Sequence, residues 1–252
     1  MKQVLFSIIT VVYNTKEDLK KTTESIQNQT FKNFEHVIID GDSNDDTLEY
    51  IKSLEYNNVT YISEKDNGIY DAMNKGINLA SGEYLLFLNA ADTFTSDDVL
   101  KNITQGIEKE NPKIIYGGAN VCSEDGKFLS NLKSLILNKK NLNRYATRVV
   151  CHQSIFVHKS VVKPYSDEYR LKGELNWYYD LIENTSENEI IKLDDMVCNY
   201  HLGGTGDKNF WENYVERVRV TKEHNSLFRF LLAVPFFVIP LIFRIRRKIF
   251  AK

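Results

Sequence analysis

A doubly wound α/β sheet is the fold class this sequence predicts, and three observations carry the prediction. Val4 to Val12 is a nearly continuous β-branched run. It is too short for a membrane span and too unbroken for an edge strand, as expected of a central parallel strand covered on both faces. Strand-like runs then alternate with segments of helical spacing as far as Asp92, the order of a parallel sheet wound with helices. Finally, several of these strands end in polar or acidic turns, which a parallel sheet gathers on one edge.

Each element has its own signal. After Tyr13 and Asn14 close the first strand, Lys16 to Gln29 carries Leu19, Thr22, Thr23 and Ile26 at helical spacing. Asn33 to Ile39 reads as the second strand and runs into Asp40-Gly41-Asp42-Ser43-Asn44-Asp45-Asp46-Thr47, after which Leu48 to Leu54 is helical. Val59 to Ser63 is the third strand. Gly68 then permits a tight turn into a helix from Ile69 to Leu79 with Ile69, Met73, Ile77 and Ala80 on one face. Tyr84 to Leu88 is the fourth strand, and it runs straight into Asn89-Ala90-Ala91-Asp92. A helix from Ser96 to Glu108, a strand from Ile114 to Gly117 and a hairpin turning at Glu124-Asp125-Gly126 between Val121 and Phe128 follow. Beyond them come the stretch Val149 to Val157, a strand from Ile190 to Tyr200 and a surface helix from Asn213 to His224 with Tyr214, Val218 and Thr221 inward.

Composition narrows the class. The 252 residues are 42% hydrophobic and 26% charged, a globular balance long enough for one large α/β domain. A formal charge of −2 gives no general attraction to nucleic acid. Cys122, Cys151 and Cys198 are widely spread without metal spacing, which fits core thiols in a reducing compartment. The N-terminus turns polar at Asn14 without a cleavage signal, so it reads as a strand rather than a leader.

Neither GxGxxG after the first strand nor GxxxxGK[ST] occurs, which argues against dinucleotide and P-loop chemistry. Three strand ends carry other chemistry. An aromatic ring at Tyr13 can stack on a base, a carboxylate at Asp40 can accept from a base or ribose, and a carboxylate at Asp92 can hold a divalent cation against a diphosphate. In the loop EKDNGIYDAMNKG, Asp66 and Asp71 can bond sugar hydroxyls or a ribose. Tyr70 and Asn74 face the same edge, and Lys75 either meets a phosphate or pairs with Asp71 four residues earlier.

The segments SIITVVYN, DGDSNDDT, EKDNGIYDAMNKGINLASGEYLLFLNAAD and HQSIF, in this order, resemble the nucleotide-sugar-dependent glycosyltransferases of family 2. The resemblance covers roughly residues 4–205 and is nearest to the bacterial members that build exopolysaccharide, capsule or lipopolysaccharide. It implies a GT-A type fold, a Rossmann-like and mostly parallel sheet with helices on both faces. Residues 1–94 would form the nucleotide-binding half and 95–205 the acceptor half. It also implies an inverting transfer from a nucleoside diphosphate sugar, UDP-linked, with Mn2+ or Mg2+ bridging the diphosphate. Thr10, Tyr13 and Asp40 match the nucleoside positions, Asp66 the aspartate of the third loop, and Asp92 the last carboxylate of the metal motif. With Asn14, Tyr70, Asp71, Asn74, Lys75 and Asn89, these make up the donor half of the site.

The metal motif departs from the family pattern. Asn89 and Ala91 stand where the usual Asp-x-Asp-Asp has carboxylates, and neither an amide nor a methyl supplies the missing charge for a hard cation. Metal binding then rests on Asp92, the donor's own diphosphate and water. A catalytically inert sugar-nucleotide or glycan-binding protein is the alternative. In the acceptor half the resemblance assigns His152 to the leaving diphosphate and a base to the start of a helix after HQ, whose counterpart here is the stretch Leu171 to Leu181. Register puts that base at Glu174 or Asn176; an amide cannot be a base, so Glu174 is the candidate, with Asp180 as runner-up. Trp177 offers a face to a pyranose ring. The glycine-rich run His201 to Gly206 would fold over the diphosphate, with His201 touching it or the metal.

The basic segment Lys139 to Arg148 is either a solvated face or a steering surface for an anionic lipid-diphosphate acceptor. Residues 206–252 read as a C-terminal helical segment. Its apolar run Phe230 to Phe243 holds Pro235 and Pro240 and is followed by Arg244-Ile245-Arg246-Arg247-Lys248. Fourteen residues fall short of the roughly 20 a spanning helix needs, so an interfacial helix at the inner face of the cell membrane of a cytoplasmic protein is the expectation. A homodimer interface or a helix packed on the body is the alternative.

Overall fold

The computed structural model of the protein describes residues 4–55, 58–145, 149–203, 210–235 and 238. In chain order the elements are β1 (Phe6–Val12), α1 (Lys16–Gln27), β2 (Phe34–Asp40), α2 (Thr47–Lys52), β3 (Val59–Ser63), α3 (Ile69–Leu79) and β4 (Tyr84–Phe87). These follow the sequence expectation to within a few residues, because each strand is a continuous apolar run bounded by a polar turn. Then come β5 (Thr93–Phe94), α4 (Val99–Glu110), β6 (Ile114–Cys122), β7 (Phe128–Leu132) and α5 (Lys139–Tyr145). A short 3-10 turn over His152–Ser154 leads into β8 (Ile155–His158), α6 (Gly173–Glu183), β9 (Ile190–His201) and α7 (Phe210–Glu223).

The sheet runs β3-β2-β1-β4-β8-β6-β9-β5, with β7 attached to β6. Strands β3, β2, β1 and β4 are parallel. The expectation of a mostly parallel sheet fails beyond β4. There β8 is antiparallel to both β4 and β6, and β5 is antiparallel to β9, while β6 and β9 are parallel. The reason is local: β6 turns back at once as a hairpin into β7, and the strand after the 3-10 turn enters beside β4 in the reverse direction. β6 is also longer than its apolar run implied, because its polar second half pairs with β7 on one side and β9 on the other.

Helices cover both faces, as expected of the fold class. Alternation along β1 sends Ile9 and Val11 to one face, with Val37, Ile39, Met73, Phe87 and Trp177, and Phe6 and Ile8 to the other, with Ile26, Leu86, Leu100, Ile103 and Phe156. The helical face predicted for α1, Leu19, Thr22, Thr23 and Ile26, is its buried face. After residue 205, α7 is packed into the body: Val220 joins the first core cluster and Thr221 is fully buried. All three cysteines are free and buried.

One buried polar pair locks the parallel half together. The Thr10 hydroxyl donates to the Leu88 carbonyl at 2.7 Å and lies 2.9 Å from His36 Nε2, joining β1 to β2 and to the end of β4. His36 is fully buried, and desolvation pulls its pKa down to about 3. The unfolded chain therefore binds a proton near pH 6.5 that the folded protein refuses until about pH 3, so stability falls as pH drops below 6.5 and the loss levels off near 3. Urea unfolding between pH 7 and 4 is expected to show a falling midpoint, and His36→Asn to show a smaller fall. An equal fall in both proteins would assign the acid sensitivity elsewhere.

Candidate active site

The turn after β4 and the start of α3 open on a cleft of about 1920 Å³, bounded on its far side by α6 and the β6–β7 hairpin, and the carboxyl ends of the parallel neighbours β1 and β2 lie beside it on the same sheet edge. Three non-glycine residues with left-handed backbone sit at these strand ends, Asn14 (φ 51°), Asp42 (φ 64°) and Ala91 (φ 79°). Such conformations cost about 1 kcal/mol or more each and persist where the surroundings over-determine them, as at functional loops. The turn after β4 is fixed from outside. Asp92 N–H donates to Asn89 O at 3.1 Å and Ala91 N–H to Asp18 O at 3.2 Å, while the Thr22 hydroxyl lies 3.2 and 2.9 Å from the carbonyls of Asn89 and Asp92.

This turn presents a desolvated polar group. Asp92 is 4% exposed and accepts the His201 backbone N–H at 2.9 Å, with His201 Nδ1 3.8 Å from the same carboxylate oxygen. Burial raises the Asp92 carboxyl above its ordinary range, and the His201 contacts offset part of that rise. Beside it, Asn89 Oδ1 and His201 Nδ1 are buried without a hydrogen-bond partner among the described residues. An unsatisfied buried polar atom costs roughly 1–3 kcal/mol, and a native fold tolerates it where a bound group will satisfy it. One carboxylate, one amide oxygen and one imidazole nitrogen are oxygen and nitrogen donors suited to a divalent cation such as Mn2+ or Mg2+. Asn89 thus brings a donor atom, though no charge, to the position where the family pattern has a carboxylate. The glycines after Gly203 fall outside the described residues.

Across the cleft, Glu174 stands in the first turn of α6. Its Oε2 accepts from the Tyr70 hydroxyl at 3.0 Å, and Lys172 Nζ lies 3.7 Å from Oε1. Gly173 is what allows this approach, because a Cβ there would come within 2.7 Å of the Tyr70 ring. Burial, and then the Glu174 charge, push the Tyr70 phenol well above its ordinary pKa, so it remains a donor. A carboxylate facing the cleft with one phenolic donor is equipped to take a proton from an incoming hydroxyl. Asp71, Asn74 and His152 line the same cleft. Asp71 accepts from Asn67 N–H at 2.9 Å.

Beside the cleft, the exposed ring of Tyr13 and the Asp66 carboxylate meet over Gly41. A Cβ on Gly41 would lie 3.4 Å from the ring and 2.5 Å from Asp66 Oδ2. Asp66 Oδ1 holds Gly68 N–H at 2.9 Å. An exposed aromatic face next to a carboxylate suits a nucleoside.

Several predicted contacts are corrected. Thr10 is fully buried between strands, so it positions the β1 end instead of touching a ligand. Asp40 is fully buried and takes the hydroxyls of Ser43 at 2.5 Å and Ser63 at 2.6 Å, while Asn14 ties the same loop through Ser43 Oγ and Asn44 N–H, both at 2.8 Å. Both side chains build the donor loop from behind. The Asn74 amide pairs with both backbone groups of Tyr165, at 2.9 and 2.7 Å. Lys75 is held by Glu64 at 3.0 Å and the Lys65 carbonyl at 2.9 Å, with Asp71 at 3.8 Å, so it faces no phosphate. Trp177 is 1% exposed, its indole N–H on the Lys163 carbonyl, and offers no face to a sugar. His152 stacks on Phe87 and shares a hydrogen bond with the Tyr165 hydroxyl; desolvation pulls it to about 4, so it is uncharged at neutral pH. Asp180 lies on the other side of α6, with Asn176 at 3.0 Å and in a group with Glu183 and His224, which removes it as a base.

The sequence reading passed over Tyr165, Lys172 and Glu216. Tyr165 stacks between Tyr70 and Trp177 at 5.2 Å on each side and carries the bond to His152. It lies in irregular chain with no periodicity to mark it. Lys172, two residues before Glu174, is 7% exposed, and nothing in the sequence marks a lysine as buried.

A cleft of this kind, at the carboxyl edge of a half-parallel sheet, is where an open α/β protein binds its ligand. Residues 7–163 match the family model described as glycosyl transferase family 2, and the chain belongs to that family. It is 31% identical over 189 residues, 72% of this chain and 70% of the relative, to a "PGL/p-HBAD biosynthesis glycosyltransferase" of Mycobacterium bovis. It is 33% identical over 139 residues, 51% of this chain and 46% of the relative, to the "Amylovoran biosynthesis glycosyltransferase AmsB" of Erwinia amylovora. Among solved structures, S. aureus TarS 1-349 in complex with UDP-GlcNAc aligns with a TM-score of 0.68 at 18% identity, covering 87% of this chain and 66% of that one. The mannosyltransferase PcManGT from Pyrobaculum calidifontis, in complex with GDP-Man and Mn2+, aligns at 0.60 and 14% identity, covering 94% and 74%. At these identities the structural likeness establishes the fold, a mixed α/β sheet of GT-A type.

Proposed function

We propose that this family 2 glycosyltransferase is an inverting enzyme that moves a sugar from a UDP-linked donor to a lipid-linked or membrane-proximal glycan in surface polysaccharide synthesis. The observation that carries the reading is the pairing, in one cleft, of the buried Asp92 carboxylate and the unpartnered Asn89 Oδ1 and His201 Nδ1 beside it with Glu174 on the opposite wall. Relatives named for PGL/p-HBAD and amylovoran biosynthesis support the pathway class. The UDP-GlcNAc complex of TarS supports the donor class.

In this reading the nucleoside rests against Tyr13 and Asp66, and the diphosphate lies at the end of β4. Glu174 accepts the proton of the acceptor hydroxyl as its oxygen attacks the anomeric carbon from the face opposite the diphosphate. The new C–O bond forms while the bond to the phosphate oxygen breaks, its electron pair leaving with the nucleoside diphosphate and the anomeric configuration inverting. Asp92, with Asn89 Oδ1 and His201 Nδ1 beside it, would hold a divalent cation, whose chemistry is Lewis-acid stabilisation of the departing diphosphate. Tyr70 keeps Glu174 oriented toward the hydroxyl.

A donor panel assayed with and without Mn2+, beside Asp92→Asn and Glu174→Gln, tests the assignment. Turnover of one donor is expected, with a loss of roughly 10²-fold or more in either variant. If the panel binds but does not turn over, the protein is an inert sugar-nucleotide binder. Turnover untouched by Glu174→Gln would remove that residue as the base.

A lipid-linked acceptor would suit a protein that works at a membrane surface. Residues 227–235 are helical, and Leu227, Phe228, Leu231 and Leu232 are 57–72% exposed on them. The sequence continues into the apolar run and then Arg244, Arg246, Arg247 and Lys248, a pattern suited to anionic headgroups at the inner face of the membrane. Among the described residues no helix is long and apolar enough to cross a bilayer. Co-sedimentation with anionic vesicles and not with zwitterionic ones is expected; equal partition into both would contradict the electrostatic part, and no binding to either would contradict the membrane contact.

A further inference from the structure

The helix that carries Glu174 has an uncapped entrance. Lys172 occupies its N-cap position without a side-chain cap bond, and the backbone N–H groups leading into it need acceptors. The acceptor comes from a distant part of the chain. On α7, the Glu216 carboxylate accepts three consecutive backbone N–H groups, Arg170 at 2.9 Å on Oε1 and Leu171 and Lys172 at 2.8 Å on Oε2. A carboxylate filling a nest of successive N–H groups is a charge-assisted anchor and complements the positive end of the helix dipole.

Other contacts from the same side of α7 reinforce it. Arg219 pairs with Glu168 and, at 2.9 Å, with Glu223, and its guanidinium lies 5.1 Å from the Tyr169 ring centroid. Glu223 accepts the Tyr169 hydroxyl. Positions 216, 219 and 223 repeat at helical spacing, so one stripe of α7 grips the segment 168–172 immediately before the candidate base. At the other end of that grip, Tyr70 holds the Glu174 carboxylate at 3.0 Å.

We propose that Glu216 is a positioning residue for transfer: by clamping the backbone of 170–172 it sets where Glu174 stands against the acceptor hydroxyl. The inference rests on the reading of Glu174 as the base. It gives α7, which lies outside the matched family segment 7–163 and lines the cleft with Asn213, Tyr214 and Arg217, a part in holding the candidate base through Glu216. Its neighbour Glu212 is different: its ion pair is with Arg170, whose side chain is 73% exposed, at 3.8 Å, a contact of little weight.

Glu216→Gln presents an amide that cannot accept all three N–H groups without turning its own NH2 toward one of them. In the native full-length protein it is expected to lower kcat roughly tenfold to a hundredfold, the scale of a displaced catalytic group. The donor KM and the UDP affinity should stay near wild type, Glu216→Asp should regain part of the loss, and Glu212→Gln should behave as wild type. Hydrogen exchange at the amides of 170–176 should quicken in Glu216→Gln. A fall in thermal midpoint with kcat unchanged would overturn the proposal, leaving Glu216 merely structural, and so would unchanged exchange in that segment. Absence of turnover in the wild type would defeat the glycosyltransfer reading instead, and the exchange measurement would still decide whether the clamp exists.

Discussion

The register of β1 against its two parallel neighbours is the constraint on which the site depends. Phe6 faces Phe34 on one side and Tyr84 on the other, so β2, β1 and β4 reach the same edge together. The Thr10 hydroxyl, bound to Leu88 O and adjacent to His36, fixes that alignment where the strands stop. A slip of one residue would turn every side chain to the opposite face. It would separate the Tyr13 and Asp66 wall from the turn that carries Asp92. The left-handed residues Asn14, Asp42 and Ala91 follow from the same alignment, since the chain must turn sharply three times at one edge.

The second half of the sheet, being mixed, supplies what the parallel half lacks. β9 runs parallel to β6 and delivers His201 to Asp92, while β6 and β7 form the flank of the cleft. The region before α6 is held by aromatic stacking from Tyr70 through Tyr165 to Trp177 and by the carboxylate of Glu216. The proposed chemistry is thereby divided: the buried polar group at the end of β4 would meet the diphosphate, and the carboxylate on α6 would take the proton. Burial leaves Asn89 Oδ1 and His201 Nδ1, beside Asp92, without a hydrogen-bond partner among the described residues.

Much of this was legible in the sequence. The elements of the parallel half could be read because their strands are unbroken apolar runs, and Leu19, Thr22, Thr23 and Ile26 sit at helical spacing. Asp92, Glu174, His201, Tyr13 and Asp66 lie at the cleft or beside it, because residue type and strand-end position both report on chemistry. What failed was the distinction between touching a ligand and holding the residue that does. Thr10, Asp40, Asn14 and Asn74 are polar residues at the right edge whose hydrogen bonds are taken up by the protein, and sequence does not tell where a side chain's partner lies. Trp177 reads equally well as core or sugar platform, and only its burial decides. Glu216 was hidden for the opposite reason: an acidic residue on a surface helix looks like solvated decoration until three N–H groups from a segment some forty residues earlier converge on it.

The departure at Asn89 and Ala91 also takes a physical form. With one carboxylate, one amide oxygen and one imidazole nitrogen, the protein offers less charge than a two- or three-carboxylate motif, so the cation site should be completed by the donor's phosphates. Mn2+ binding followed by electron paramagnetic resonance, with and without UDP, tests this most directly. The account predicts weak binding alone, a gain of about tenfold or more with UDP, and loss of that gain in Asp92→Asn. Equal Mn2+ affinity with and without UDP, or a gain that survives Asp92→Asn, would contradict it.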